Sequence, residues 1–251
     1  MNALRALVTF AGLTVLWQIV VAVTGLPHYL LPSPWLVANT LYSRADVLLD
    51  NARFTVIEIV IGLILGVAFG ALCALSLMAS RIARRWLLPV MLASQAIPTF
   101  AIAPLLVLWF GYGMASKIVM TVIVIFFSVA SAFYDGLRRT DPAWLDLAQT
   151  MGARPWRVLW FLRVPAALPA LATGIRVAAV FAPIGAIIGE WVGASRGLGY
   201  LMLQANARMQ IDMLFAALMV LAVFAVGLYA LVDAALRRAL AWDSDRLPPE
   251  R

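Results

Sequence analysis

The chain has 251 residues, 64% of them hydrophobic and 12% charged, and a formal charge of +7 at neutral pH. So apolar a composition exceeds what a soluble core of this length needs and places the chain among all-α, polytopic membrane proteins. Every basic residue but Lys117 is an arginine, and without a soluble fold to present a basic face they speak for membrane topology and against nucleic acid; the lone Cys73 excludes an internal disulfide and a thiolate metal cluster.

Residues 4–23 are apolar over about one bilayer thickness at 1.5 Å per residue. The run follows Arg5, exceeds a signal peptide's apolar core and precedes no small-x-small cleavage site, so a retained anchor helix is expected. Pro27, Pro32 and Pro34 then mark an extracytoplasmic loop, and Trp35 to Leu49 a helix on the membrane surface. His28, the only histidine, has no partner set for a metal. The second span covers 54–78, with Gly62, Gly66 and Gly70 forming a row that admits a close helix neighbour. A basic turn over Ser80–Arg85 leads to the third span, 86–110, where Pro89, Pro98 and Pro104 each remove a backbone donor. Broken helices are tolerated in a bilayer where they face protein or water, so Pro98 and Pro104 are candidates for the wall of a translocation path. The remaining spans are 118–133, 166–192 and 213–236, making six, with Pro169, Gly174, Pro183, Gly185 and Gly189 interrupting the fifth. A polar link covers 193–212, and a basic tail follows Leu236.

Between the fourth and fifth spans, Thr140 to Pro169 carries its own punctuation. Asp141 is placed to cap a helix beginning at Pro142, and Gly152 to end it. Trp144, Leu147, Ala148 and Met151 fall on one face of that helix. A second helix is expected from Pro155, alternating arginines with aromatics until Pro165 and Pro169 stop it. On residue types alone this is as well read as an interfacial loop on lipid headgroups.

Spacing adds a second reading. Asp146-Leu147-Ala148, then Gly152, Leu162, Val164 and Pro165 resemble the EAA motif of binding-protein-dependent ABC importer permeases, departing at the middle of the triplet. Ala103 to Gly113, with Trp109-Phe110-Gly111-Tyr112-Gly113 ahead of Ser116-Lys117, is similar to the nitrate, sulfonate and taurine type of that family. The segments Ala182–Gly193, Gly197–Met202 and Asn206–Gln210 look most like its hydroxymethylpyrimidine, thiamine-precursor branch. The resemblance covers essentially the whole chain. It implies a type I importer permease fold of six transmembrane helices, with a cytoplasmic coupling helix that docks on an ATPase through Asp146, Ala148, Gly152, Arg154 and Pro165. It also implies two ATPase subunits holding ATP and magnesium, a second permease copy, an extracytoplasmic solute-binding protein and a bacterial inner-membrane location.

Charge counting gives an independent view. Cytoplasmic termini put Arg5, Arg81, Arg84, Arg85, Arg138, Arg139, Arg154, Arg157, Arg163, Arg237, Arg238, Arg246 and Arg251 inside, and only Arg44, Arg53, Lys117, Arg196 and Arg208 outside. No Gly-Lys-Ser/Thr phosphate loop exists, so ATP hydrolysis must belong to another subunit, and no nucleophile and base pair up for an enzyme. An ion-coupled carrier would show ionisable residues within its spans, where Glu58, Arg176, Glu190 and Asp233 stand, but no internal repeat accompanies them. Arg176 and Glu190 are fourteen positions apart, about 21 Å along an unbroken helix, too far to pair. Either Arg176 pairs with a carboxylate on another helix and Glu190 caps the outer end, or Glu190 with Trp191 lines an outer mouth. With Pro98, Pro104, Arg176 and Pro183 they complete the translocation-path candidates.

Overall fold

A computed structural model describes residues 3–242, which lie in helices and short turns. In chain order they form α1 (Ala3–Thr24), α2 (Pro34–Ser43), α3 (Ala45–Ala79), α4 (Arg81–Ala96), α5 (Thr99–Phe110), α6 (Met114–Arg138), α7 (Pro142–Thr150), α8 (Pro155–Val158), a π turn (Leu159–Arg163), α9 (Val164–Gly193), α10 (Leu198–Ala207) and α11 (Ile211–Ala239). Four stretches are long and apolar enough to cross a membrane: α3, α6, the continuous run Pro155–Gly193, and α11. The α4–α5 pair makes a fifth if its two arms count as one broken span, and α1 contributes a shorter apolar segment, Ala11–Thr24.

Helix α6 is the axis of the bundle, packed between α3 and α9. Small residues make this possible from both sides. A Cβ on Gly62 would meet the Thr121 side chain at 2.6 Å, and one on Gly70 would lie 2.9 Å from Val129 Cβ, so the expected glycine row on α3 is the face that receives α6. Across the axis, a Cβ on Gly185 or Gly189 of α9 would lie 2.8 Å or 3.0 Å from the Cα atoms of Thr121 and Lys117, respectively. Ile59, Leu63, Ile125, Val129, Ala178 and Ala182 fill the centre. Arg163 and Arg84 lie together at the end of the bundle that holds α7, the loop end, where Arg163 donates to Leu137 O and Arg84 to Leu77 O. Arg53 and Arg196 meet over Phe54 at the other end. Two members of each basic set separated by charge counting, Arg84 with Arg163 and Arg53 with Arg196, therefore lie at opposite ends. The tail with Arg246 and Arg251 lies outside the described residues.

Several local expectations need correction. The surface helix expected over Trp35–Leu49 stops at Ser43, and α3 starts at Ala45 and runs 35 residues, about 52 Å. The basic turn at Ser80–Arg85 is the first turn of α4, because the Ser80 hydroxyl accepts the Ala83 N–H at 3.2 Å and starts a helix there. The third span breaks once, by 105°, at Ile97–Pro98, while Pro89 and Pro104 lie inside helices. Ile97 is extended, as a residue before proline prefers.

Pro165 and Pro169 do not end the helix begun at Pro155, nor do the glycines and Pro183 interrupt α9. Immediately before Pro165 the hydrogen-bond ladder slips by one residue, with the Val164 N–H donating to Leu159 O five residues back. The π turn absorbs the proline's missing donor without a kink in the chain's course. The polar link 193–212 contains a helix, α10, that the sequence pattern did not indicate.

Candidate coupling and translocation sites

At the loop end, α7 is built as its residues dictate. The Asp141 carboxylate accepts the Ala143 N–H at 2.9 Å, with Pro142 at the first helical position. At the other terminus Gly152 (φ 70°) donates to Gln149 O at 3.0 Å and Ala153 N–H to Ala148 O at 2.9 Å. This paired Schellman closure needs a left-handed residue where glycine stands. Only Ala148 of the helix is buried, and Trp144, Leu147 and Met151 of its apolar face are exposed. Asp146 is exposed beside them, and Arg154 is the exposed, extended residue ahead of Pro155. The loop is tied down from behind: Arg163 Nη1 donates to Leu137 O at 3.0 Å, and the Thr140 hydroxyl to the same carbonyl at 3.2 Å. One carbonyl in the last turn of α6 thus receives a charged and a neutral donor from the residues flanking α7.

The translocation-path candidates do not gather in one place. Pro98 and Pro104 lie exposed on the bent α4–α5 arm, beside the exposed Phe100, Leu105, Leu108 and Trp109. Arg176 Nε is 2.7 Å from Oδ1 of Asp233 on α11, whose Oδ2 accepts from Arg237 Nε at 2.8 Å, so the partner of Arg176 is a carboxylate on another helix. Pro183 is packed inside the bundle, and Trp191 is half exposed. None of the six lines either of two clefts in the bundle. One of these, about 330 Å³, lies between α2, α3, α10 and α11; the other, about 270 Å³, lies between α3, α4 and α6.

Glu190 belongs to a cluster that sequence reasoning did not assemble. It is 1% exposed. Its Oε1 accepts from the Thr55 hydroxyl at 2.6 Å, and its Oε2 from the Gly199 and Tyr200 N–H groups at 2.5 and 3.2 Å. Thr55 Oγ1 accepts the Leu198 N–H at 2.8 Å, and Asn51 Oδ1 the Gly197 N–H at 2.9 Å. A carboxylate inside the bundle thereby satisfies the orphan donors of the α10 N-terminus, where the helix dipole favours negative charge. Beside it Lys117 Nζ lies 3.9 Å from Glu58 Oε1 and donates at 3.1 Å to the carbonyls of both Tyr112 and Gly113. Glu58 and Lys117 are 2% and 4% exposed. The signal available in the sequence was Glu58 and Lys117 themselves, two charges in otherwise apolar segments; their meeting depends on three helices far apart in the chain.

The family described as binding-protein-dependent transport system inner membrane component matches residues 66–240. The chain belongs to that family. It is an inner-membrane permease subunit of ABC importers, and its relatives are transport subunits. A probable ABC transporter permease of Haemophilus influenzae is 53% identical over 94% of this chain and 96% of its own length. The formylaminopyrimidine transport permease of Halalkalibacterium halodurans is 36% identical, covering 96% of each chain, and the taurine transport permease of Escherichia coli is 29% identical over 94% of this permease and 89% of that one. In fold, the permease resembles the inward-facing MetNI methionine ABC transporter, with TM-score 0.60 and 18% identity over 82% of this chain and 97% of the other. An amino acid ABC transporter gives TM-score 0.61 at 17% identity, over 79% and 97%. The all-helical permease fold expected from the sequence is thus the observed one.

Proposed function

We propose that this permease is the conduit of an importer for a small pyrimidine of the thiamine-precursor type, driven through α7 by two cytoplasmic ATPase subunits that hold ATP and magnesium. A second copy of the chain completes the conduit, both termini are cytoplasmic, six spans cross the membrane, and a solute-binding protein delivers the substrate. The observation that carries the coupling role is the exposed ridge of Trp144, Leu147 and Met151 on a helix fixed at both ends. A short, preorganised amphipathic helix is suited to seat in a groove of a partner, and its cap, Ala148 anchor, Gly152 closure and the Arg154–Pro165 segment hold it for that purpose. The unpartnered apolar face of α5, with Pro98 and Pro104, supports a second copy at the conduit.

For the substrate, the support is the 36% identity to a formylaminopyrimidine permease across nearly the whole of both chains. The taurine relative, at 29%, supports a sulfonate as the second reading. Ligand binding to the solute-binding protein encoded beside this gene decides between them: a pyrimidine is expected, and a sulfonate overturns the assignment. For coupling, a cysteine at Leu147 is expected to cross-link to the ATPase subunit in the assembled complex. Labelling of that cysteine from the external side would overturn it.

A further inference from the structure

We infer that Glu190 is a positioning residue that clasps the N-terminus of α10 at the far end of the bundle, and that α10 is released from this clasp as a unit in the transport cycle. The inference uses membership of the importer family and no substrate assignment. Thr55 and Asn51 of α3 join Glu190 to the Gly197–Tyr200 stretch, and Glu58 of the same helix pairs with Lys117, which holds the Tyr112 and Gly113 carbonyls.

Its chemistry favours two discrete states. Glu190 exchanges its hydration for one hydroxyl and two backbone donors, and leaving any of them unpaired in an apolar bundle is costly, so intermediate separations are disfavoured. The closed state is also balanced and not simply locked. The Glu58 carboxyl stands against that of Glu190, Lys117 pairs with Glu58 at 3.9 Å, and Glu58 Oε2 is buried with no hydrogen-bond partner. Two carboxyl groups packed side by side away from water disfavour charging both, and the α10 dipole offsets that cost only while α10 is docked.

The surroundings allow the movement. Gly197 (φ 122°) precedes α10, and a Cβ there would collide with the Glu190 carboxylate. Met209 follows it in the left-handed region (φ 58°), a conformation disfavoured for a side-chain-bearing residue. Leu201, Gln204 and Ala205 of α10 and Arg208 just after it border the 330 Å³ cleft, so the helix has free volume on that side.

The test is made on the transporter assembled with its ATPase and binding protein in lipid nanodiscs. Spin labels are placed on Leu72→Cys of α3 and Leu203→Cys of α10, both on exposed positions, in a Cys73→Ala background, with labelled copies diluted by unlabelled ones. A second distance is expected when nucleotide is trapped, and Glu190→Ala is expected to show it without nucleotide. ATP hydrolysis by Glu190→Ala should lose most of its dependence on the binding protein. Lys117→Met should also open the clasp, whereas Glu58→Gln with Lys117→Met should close it again, a rescue that loss of folding would not produce. One unchanged distance in the native transporter through all nucleotide states overturns the inference, even if Glu190→Ala does not fold. So does a folded Glu190→Ala transporter with native binding-protein dependence.

Discussion

Gly152 and Met209 occupy equivalent positions in two helix-ending turns, and the difference between them is informative. Each closes its helix with the same pair of bonds: Gly152 N–H to Gln149 O with Ala153 N–H to Ala148 O, and Met209 N–H to Asn206 O with Gln210 N–H to Ala205 O. Both residues are left-handed, which glycine adopts freely and methionine does not. Met209 is 57% exposed, so little burial is at stake, and Met209→Gly is expected to stabilise the permease by about 0.5–1 kcal/mol in denaturant titration of the solubilised protein. Gly152→Val runs the other way. A Cβ there meets nothing within 4 Å, so the cost is backbone strain of about 1–2 kcal/mol concentrated on the last turn of α7. Membrane insertion should be unchanged and ATP-driven uptake reduced about five- to thirtyfold on that arithmetic, while Gly152→Asn, tolerated in this conformation, should keep most of it; native uptake by Gly152→Val would remove α7 from the coupling path. Arg176 is a third case at this scale. Its 2.7 Å contact with Asp233 is partly exposed, so a double-mutant cycle with Arg176→Gln and Asp233→Asn should return a coupling energy near 1 kcal/mol. Uptake by the double variant close to native would confirm that Arg176 stabilises and does not handle solute.

The glycine row of α3 carries a prediction at the level of whole helices. Gly66 faces the Ile125 side chain with no space for a Cβ, so Gly66→Leu must separate α3 from α6 by more than side-chain adjustment can absorb. Destabilisation of at least about 1–3 kcal/mol is expected, with loss of the folded monomer on size exclusion; Gly227→Leu on α11, where nothing lies within 4 Å, is the control that should leave folding unchanged. This row was legible in the sequence because its spacing is a local property of one helix. The α7 helix was legible for the same reason, its cap, first proline and terminal glycine all lying within twelve residues. Helix α10 was not. Its first turn is completed by Glu190, Thr55 and Asn51, the last two more than 140 positions away, and glycines and polar residues around it read locally as a link. The prolines show the same limit: Pro98 bends the chain by 105°, but Pro165 is absorbed by a one-residue slip of the ladder whose accommodation no composition rule registers.

At the scale of the molecule, the question is what drives solute uphill. Within the described spans, Glu58, Lys117 and Glu190 form one set of charged side chains, and Arg176 and Asp233 another. A carrier coupled to an ion gradient needs a site that binds the ion and the solute from alternate sides. Here one set is consumed in holding α10 and the α5–α6 turn, and the other joins α9 to α11, so both are engaged in fixing helices. On the proposed reading, the external force enters at the exposed α7 ridge at the loop end. Purified permease reconstituted alone should therefore show no accumulation under an imposed proton or sodium gradient of about 100 mV, a driving force near 2.3 kcal/mol per charge. Adding the ATPase, the binding protein and ATP should produce accumulation that ionophores do not collapse. Uphill uptake by the permease alone, abolished by dissipating the gradient, would assign the buried carboxylates to ion coupling and take α7 out of the energy path.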